Sequence, residues 1–410
     1  MLYSTKGCQV QLLAPAFEVD RICRDEWMKK LTDVCDIQYG YAFDSKCFTE
    51  DSSYPPLVRI RDVKRGYSET FYSGNYPEEY VLSAGDLLVG MDGEFNIARW
   101  KCSGALLNQR VCKLTPKVGI NEEFLRFAMS KALKKVEERT AFVTVKHLSA
   151  KELNKLELNV PEIFEQDKIA DILSKLERVI EERQLELQKL DELIKARFVE
   201  MFGHPLINSL GLETKPMTEV CEIIDGDRGK NYPTADEFTD EGYCLFLNAK
   251  NVTASGFNFD TCMFVSKEKD EVLRKGKLSR GDVVLTTRGT LGNLAFYTDD
   301  IPFEHVRINS GMVILRMKQE LVNEVYFIEQ FKMQLADIKK KIASGSAQPQ
   351  LPISTMNKIQ ILIPDIEIQK QFAAFVTQVA KSKVTETMKL ISILYLTLIH
   401  PKYNLREVTT

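Results

Sequence analysis

No apolar run in the 410-residue chain reaches the roughly 18–20 residues that cross a bilayer. The most apolar stretch, Leu390 to Ile399, is too short and contains Ser392 and Thr397. Lys6 is followed by no apolar block with a small-residue cleavage site, so no secretory leader is read there and a cytoplasmic location is expected. The cysteines are nine, an odd count, and no two form a C-x-x-C pair. That excludes a disulfide framework or a zinc ribbon and predicts reduced, mostly buried thiols. Histidines are scarce: His147, His204, His305 and His400 form no H-E-x-x-H and no close metal pair. There is no Gly-rich Lys-Ser/Thr phosphate loop and no Asn/Asp-Pro-Pro-Tyr/Phe signature of an amino-methyltransferase. A basic surplus is also missing. The net charge is −3, so any nucleic-acid contact must rest on a local basic face or on a partner.

What the chain has is an internal repeat. Val34-Cys35-Asp36-Ile37 returns as Val220-Cys221-Glu222-Ile223, an offset of 186. Leu57 to Val63 resembles Phe246 to Val252 at an offset of 189, and Gly85-Asp86-Leu87-Leu88-Val89 returns as Gly281-Asp282-Val283-Val284-Leu285 at 196. Asn108 matches Asn309 at 201, and Leu148 and Asn154 to Pro161 match Leu351 and Asn357 to Pro364 at 203. The order never breaks and the offset only grows, as small loop insertions in the second copy would produce. Asn108 and Asn309, being equivalent, are expected to be structural.

Each copy reads as short strands and turns: Val34 to Ile37, Pro56 to Ile60, Asp86 to Val89 and Val111 to Leu114. The Gly-Asp pairs mark turns feeding strands. A helix is predicted over 122–138, with a counterpart over 321–342.

Each copy then ends in a long helix. Apolar residues recur at steps of three and four from Ile169 through Ile172, Leu176, Val179, Leu187, Leu190, Ile194 and Phe198 to Met201, broken at Arg183. Gly203 and Pro205 supply the stop. Over 166–202 such a helix is about 55 Å long. A second seam runs through Phe372, Phe375, Val379, Lys383, Glu386, Leu390, Ile393 and Thr397, stopping before Pro401. Neither stripe is stable alone in water, so antiparallel pairing is expected.

The expected fold class is α+β: two tandem recognition domains of mixed strands and short helices, separated by two long antiparallel coiled-coil helices in a pseudo-twofold repeat. The expected boundaries are an unassigned extension over 1–26, domains over 27–165 and 203–368, spacer helices over 166–202 and 369–400, and a tail over 401–410. Duplex DNA offers matching half-sites about 34–36 Å apart on one face, or multiples of that. A helical rod would set their spacing.

Several strings resemble one family. They are Trp27-x3-Leu31-x2-Val34-Cys35, Gly85 to Asn96, Leu107 to Leu114, Pro161-x3-Glu165-Gln166-x2-Ile169-Ala170 and Phe198-x-Glu200-Met201-Phe202-Gly203. In the second copy they are Gly281-Asp282 to Gly292 and Gly345 to Leu351. The ordered set, over nearly all of 27–400, is similar to the specificity subunits of type I restriction-modification enzymes. The resemblance implies a non-catalytic subunit that binds double-stranded DNA and reads a bipartite, asymmetric target. It implies two methyltransferase (M) subunits as partners, with two restriction (R) subunits able to join. S-adenosylmethionine, ATP and Mg²⁺ would belong to those partners.

Base readout needs paired donors and acceptors, and phosphate positioning needs cations and small polar groups. The first copy offers Arg59, Arg61, Lys64, Arg65, Asn96, Arg99, Gln109, Arg110 and Lys146. The second offers Lys250, Asn251, Arg288, Asn293, Arg307, Gln348 and Gln350. Arg61 and Lys250, with the loops Gly90 to Arg99 and Thr286 to Asn293, are the favoured readers. Two other readings stay open. One is a coiled-coil scaffold that never touches DNA. The other is a nuclease built on Pro364-Asp365-Ile366-Glu367-Ile368-Gln369-Lys370, although its Glu-to-Lys spacing is off and the repeat aligns it with a strand-to-helix junction.

Overall fold

A computed structural model describes residues 27–93, 95–139, 147–343 and 350–399. The described residues divide into two units, one of 27–182 with 394–399 and the other of 183–393.

In the first unit, β1 (Met28–Lys30) pairs antiparallel with β6 (Glu157–Asn159). The central sheet takes β2 (Cys35–Tyr39), β3 (Leu87–Gly90), β4 (Asn96–Arg99) and β5 (Val111–Pro116) in the order β2-β5-β3-β4, all antiparallel. Alternation along β3 decides what each face covers. Leu87 and Val89 pack with Phe124, Leu125 and Met129 of α1 (Glu122–Arg139). Leu88 faces the other way, onto Val58, Trp100 and Leu107. That second layer includes the parallel pair Leu57–Val58 and Leu106–Leu107. After β6 the chain enters α2 (Ile163–Phe202), 40 residues long.

The second unit repeats this plan. β7 (Thr214–Pro216) pairs with β12 (Gln360–Leu362). The central sheet takes β8 (Cys221–Asp225), β9 (Val283–Thr286), β10 (Leu294–Phe296) and β11 (Met312–Met317) in the order β8-β11-β9-β10. Val283 and Leu285 pack with Phe327, Phe331 and Leu335 of α3 (Glu324–Ala343), while Val284 turns to Leu245 and Ile308. The same layer carries Cys244–Leu247 parallel to Val306–Ile308. The last helix, α4, spans Ile366–Ile399.

The duplication recurs in hydrogen-bond detail. Gln166, 1% exposed, donates from Nε2 to Pro161 O (2.8 Å) and Gly119 O (3.3 Å), and its Oε1 accepts from Asn121 N (2.9 Å). Gln369, fully buried, donates to Pro364 O (2.8 Å) and Leu321 O (3.1 Å) and accepts from Asn323 N (2.9 Å). Each glutamine clasps the start of a long helix to the loop before the short one. The Asn108/Asn309 match has a backbone cause. A Cβ on Gly40 would stand 2.0 Å from Asn108 O, and one on Gly226 2.2 Å from Asn309 O, so the chain crosses at contact distance in both copies. The Gly-Asp pairs are turns feeding strands: Gly85 and Gly281 have φ of +98° and +90°, and Asp86 and Asp282 accept from Ser83 N (2.8 Å) and Ser279 N (2.7 Å).

Within the second unit, the C-terminal part of α2 lies antiparallel to α4. Phe198 packs edge-on against Phe372 at 5.5 Å between centroids, and Lys383 pairs with Asp191 further along. Ile194, Phe198, Phe202, Phe372, Val376 and Val379 share one core. The heptad reading needs correction at the other end of α2, where Ile172 is 40% exposed and Gln166 and Ala170 are buried instead. There the helix docks on its own domain, so the buried stripe follows the domain surface. The thiols of Cys35, Cys112, Cys221 and Cys244 are pushed up to about 12 by burial, which leaves them packed and unreactive.

Candidate nucleic-acid interface

In each unit three segments converge at one end of the central sheet. In the first unit they are the loop after β3, the turn before β5 and the segment that begins at 147. Met91 N donates to Arg110 O (3.0 Å), and Leu148 N donates to Met91 O (2.7 Å). In the second unit Thr287 N donates to Gly311 O (2.9 Å), and Leu351 N donates to Thr287 O (3.0 Å). The backbone is the same, but the side chains differ. The first unit brings together Asp92, Arg110 and His147: Arg110 Nε lies 3.4 Å from Asp92 Oδ2, and His147 Nδ1 meets Asp92 Oδ1. The second places Arg288 against Gln350 across a backbone bridge, with glycine where Arg110 would be.

A further loop leans on this end in each copy. In the first it is residues 59–66, whose Ile60 side chain occupies the space beside Gly90 that a Cβ would enter at 3.3 Å. Buried Asp62 shapes it by accepting from Arg59 N (2.9 Å) and Ser68 Oγ (3.0 Å). Arg59, Arg61, Lys64 and Arg65 all reach solvent. Among the described residues Arg61 has a 3.8 Å approach to Asp62 and Arg65 a 4.0 Å approach to Glu69, too weak to hold either guanidinium. In the second copy the loop covers 248–261. Its Asn251 takes the place of Asp62 and accepts from Asn248 N (2.9 Å). With the turn after β9 it borders an open depression of about 500 Å³, whose walls include Lys250, Thr253, Asn258, Asp260 and Thr290.

Four of the expected contact residues are engaged inside the protein, two of them in these loops. Arg307 is 5% exposed, and its guanidinium pairs with Asp270 and donates to the carbonyls of Lys275 (2.8 Å), Asp270 (2.7 Å) and Leu273 (3.0 Å). Burial alone would raise the Asp270 carboxyl, but hydrogen bonds from Lys277 and Arg307 outweigh it and hold the pKa below the ordinary range. Asn251, fully buried, donates to Asn258 O (3.0 Å) and Thr261 O (2.8 Å). Asn293 donates to Val252 O (2.9 Å), tying the two loops together. Arg99 is held by Glu123 (2.5 Å), Glu122 (3.0 Å) and Gly85 O (3.0 Å). Asn96 is half-buried in β4, and Gln109 is exposed beside Arg110. Lys250, Arg288 and Gln350 are exposed in the second copy. Lys146 and Gln348 lie outside the described residues.

No three His, Cys, Asp or Glu side chains come together among the described residues in a way that could hold a metal ion. The nuclease-like string is a helix start: Asp365 Oδ1 caps Glu367 N (2.8 Å), and Lys370 pairs with Glu367 (2.7 Å) one turn on. No helix among the described residues is long and apolar enough to cross a membrane.

Comparison with known proteins agrees with this geometry. The profile of the family described as type I restriction modification DNA specificity domain matches residues 24–191 and 210–394. The type I restriction enzyme EcoBI specificity subunit of Escherichia coli is 28% identical over 320 residues, which is 72% of this chain and 66% of that subunit, just under two thirds of its length. The MjaVIII specificity subunit of Methanocaldococcus jannaschii is 21% identical over 344 residues, 79% of each chain. The crystal structure of a type I restriction-modification S subunit from M. genitalium shares the fold, with a TM-score of 0.50 and 16% identity over 90% of this chain and 93% of that one. Matched along both of its copies, the chain belongs to the type I restriction modification DNA specificity domain family.

Proposed function

We propose that this chain is the sequence-reading subunit of a type I restriction-modification complex. It carries out no chemistry itself. It binds double-stranded DNA at a bipartite, asymmetric target in the cytoplasm and directs adenine methylation and cleavage by its partners. Two methyltransferase subunits are those partners, two restriction subunits can join them, and the S-adenosylmethionine, ATP and Mg²⁺ belong to these subunits. Residues 27–165 and 203–368 are the two recognition domains, and 166–202 and 369–400 are the spacers.

One observation carries the reading. The same backbone convergence occurs twice, with Asp92, Arg110 and His147 in one copy and Arg288, Gly311 and Gln350 in the other. A shared frame with exchanged side chains is what two different half-sites require. The exposed groups Arg59, Arg61, Lys64, Arg65, Gln109, Arg110, Lys250, Arg288 and Gln350 are the DNA contacts. Asn251 and Asn293 hold the loop that carries Lys250, whereas Arg99 ties β4 to the Gly85 turn and the start of α1, and Arg307 holds residues 270–275. Asn96, Lys146 and Gln348 stay in the contact set.

Methylome sequencing of the host with and without the gene, the methyltransferase gene left in place, tests the proposal. The expected result is loss of one asymmetric two-part adenine motif. An unchanged methylome, with the methyltransferase shown to be expressed, would overturn it in favour of a protein scaffold.

A further inference from the structure

Two glycines beside the reading loops are covered by lysine side chains. Gly66 closes the 59–66 loop with φ +77°, and a Cβ there would stand 2.7 Å from Lys101 Cδ and 2.8 Å from its Cγ and Cε. Gly292, in the turn after β9, has φ +80°, and its Cβ would stand 2.3 Å from Lys339 Cε and 3.1 Å from Nζ. Both lysines come from rigid neighbours. Lys101 follows Trp100, 1% exposed, at the end of β4. Lys339 projects from α3 one turn beyond Leu335, 2% exposed, whose Cδ2 lies 3.6 Å from the same Cβ position. Neither ammonium has an ion pair or hydrogen bond among the described residues.

We infer that Lys101 and Lys339 are DNA-phosphate contacts, one for each half-site. The aliphatic stem of Lys101 lies along the loop backbone, and the Cε–Nζ end of Lys339 lies over Gly292 with no charged partner among the described residues. The stem is ordered before DNA arrives, so less rotamer entropy remains to be lost on binding. An ammonium is a compact point charge, suited to a phosphate oxygen and indifferent to base identity. Neither arrangement repeats in the other copy. The strand register places Phe95 where the second copy has Gly292, and the second copy replaces the turn at Gly66 with a hairpin, Val252–Thr253 against Gly256–Phe257. Each half-site thus receives its own backbone anchor, beside Arg61 and Arg65 in one copy and Arg288 in the other. The inference rests on the DNA-reading function proposed above.

The test uses the full chain assembled with its methyltransferase subunit. The probes are a duplex carrying the motif found by methylome sequencing and an unrelated duplex. Lys101→Gln and Lys339→Gln should each lower the slope of log K against log salt by about 0.9, which is about eightfold weaker binding at 0.1 M salt. The loss should be equal on both duplexes, the methylated motif unchanged, and Lys→Arg should restore the slope. Lys332→Gln, on α3 but already paired with Glu329 at 2.6 Å, should change nothing. A slope equal to the parent's, or a loss confined to the target duplex, would overturn the assignment while leaving the DNA-reading function intact. A parent complex with no salt-dependent binding to either duplex would overturn both.

Discussion

Replacing Gln166 with alanine would break the clasp that both copies share, at the copy where breakage is simplest to observe. The side chain makes three hydrogen bonds at 1% exposure, to the carbonyls of Pro161 and Gly119 and from the amide of Asn121. At about 1 kcal/mol net per bond, the loss is about 3 kcal/mol, and more where water cannot reach the abandoned groups. The chain has two tryptophans, Trp27 and Trp100, and both lie in the first copy. Trp100 is 1% exposed, so its emission reports that copy's packing directly. In a urea titration followed by tryptophan fluorescence, a slope of roughly 2–3 kcal/mol/M turns the loss into a midpoint lower by roughly 1–1.5 M. Gln166→Glu keeps the acceptor for Asn121 N–H but loses both donated bonds and buries a carboxylate, so it should cost at least as much. A shift below about 0.3 M for the alanine variant would refute the reasoning. The loop before α1 and the start of α2 would then be held by apolar packing alone.

Other perturbations follow from the same geometry. Arg61→Ala and Arg288→Ala should each weaken target binding by about 1–3 kcal/mol and relax the methylated motif in one half only, which methylome sequencing reads; relaxation of both halves by either variant would contradict separate reading domains. Arg307→Met leaves Asp270 buried without its guanidinium partner, so a loss of about 3–5 kcal/mol is expected, seen as earlier melting by circular dichroism; a neutral result would contradict a structural role. Asp227 is held down to about 2, chiefly by the amide of Gly229 and, against burial, by the backbone and side chain of Arg274. Its folded-state pKa lies below the ordinary 3.8, so its stabilisation is present above that value and fades as pH falls toward 2. Asp227→Asn should therefore flatten the stability-versus-pH curve in that window, and an unchanged acid arm would refute the assignment.

Much of the frame was legible because it is written twice. The offsets between matched segments located three of the four strands of each central sheet, and the three-and-four spacing located α2; the stretch Gly90 to Arg99, expected as a loop, ends in strand β4 from Asn96 to Arg99. Burial of polar groups was not legible in the same way. Arg99 looks like a free cation until the fold brings Glu122 and Glu123 to it from the start of α1. Arg307 looks like a reader, although the repeat held the contrary signal. The offset of 201 that aligns Asn108 with Asn309 also aligns Arg307 with Leu106, a fully buried strand residue. Asn251 aligns with Asp62 in the same manner, and both are buried loop-shaping groups. The lysines over Gly66 and Gly292 had no sequence signal, because the contacts join residues 35 and 47 positions apart. The misread stretch of α2 has a different cause. Helical periodicity finds an apolar stripe but not which neighbour covers it, and near Gln166 the neighbour is the helix's own domain.

The two convergence points differ in charge in a way that bears on how each would read a base. In the first copy Asp92 already neutralises Arg110 and meets His147, so a base edge entering there must compete with an existing ion pair, and exposed Gln109 is the adjacent group with both donors and an acceptor to offer. In the second copy the residue at the Asp92 position is Arg288, and the Arg110 position is Gly311, which clears space beside a guanidinium that carries no ion pair among the described residues. A bidentate arginine suits guanine, whereas a glutamine suits adenine. Two separate polypeptides with one sequence could not divide the work in this way, because their symmetry would force equal half-sites. On the proposed function, fusing the copies into one chain would remove that constraint, and the exchange of Asp92 for Arg288 at one shared backbone position would let the two halves read differently.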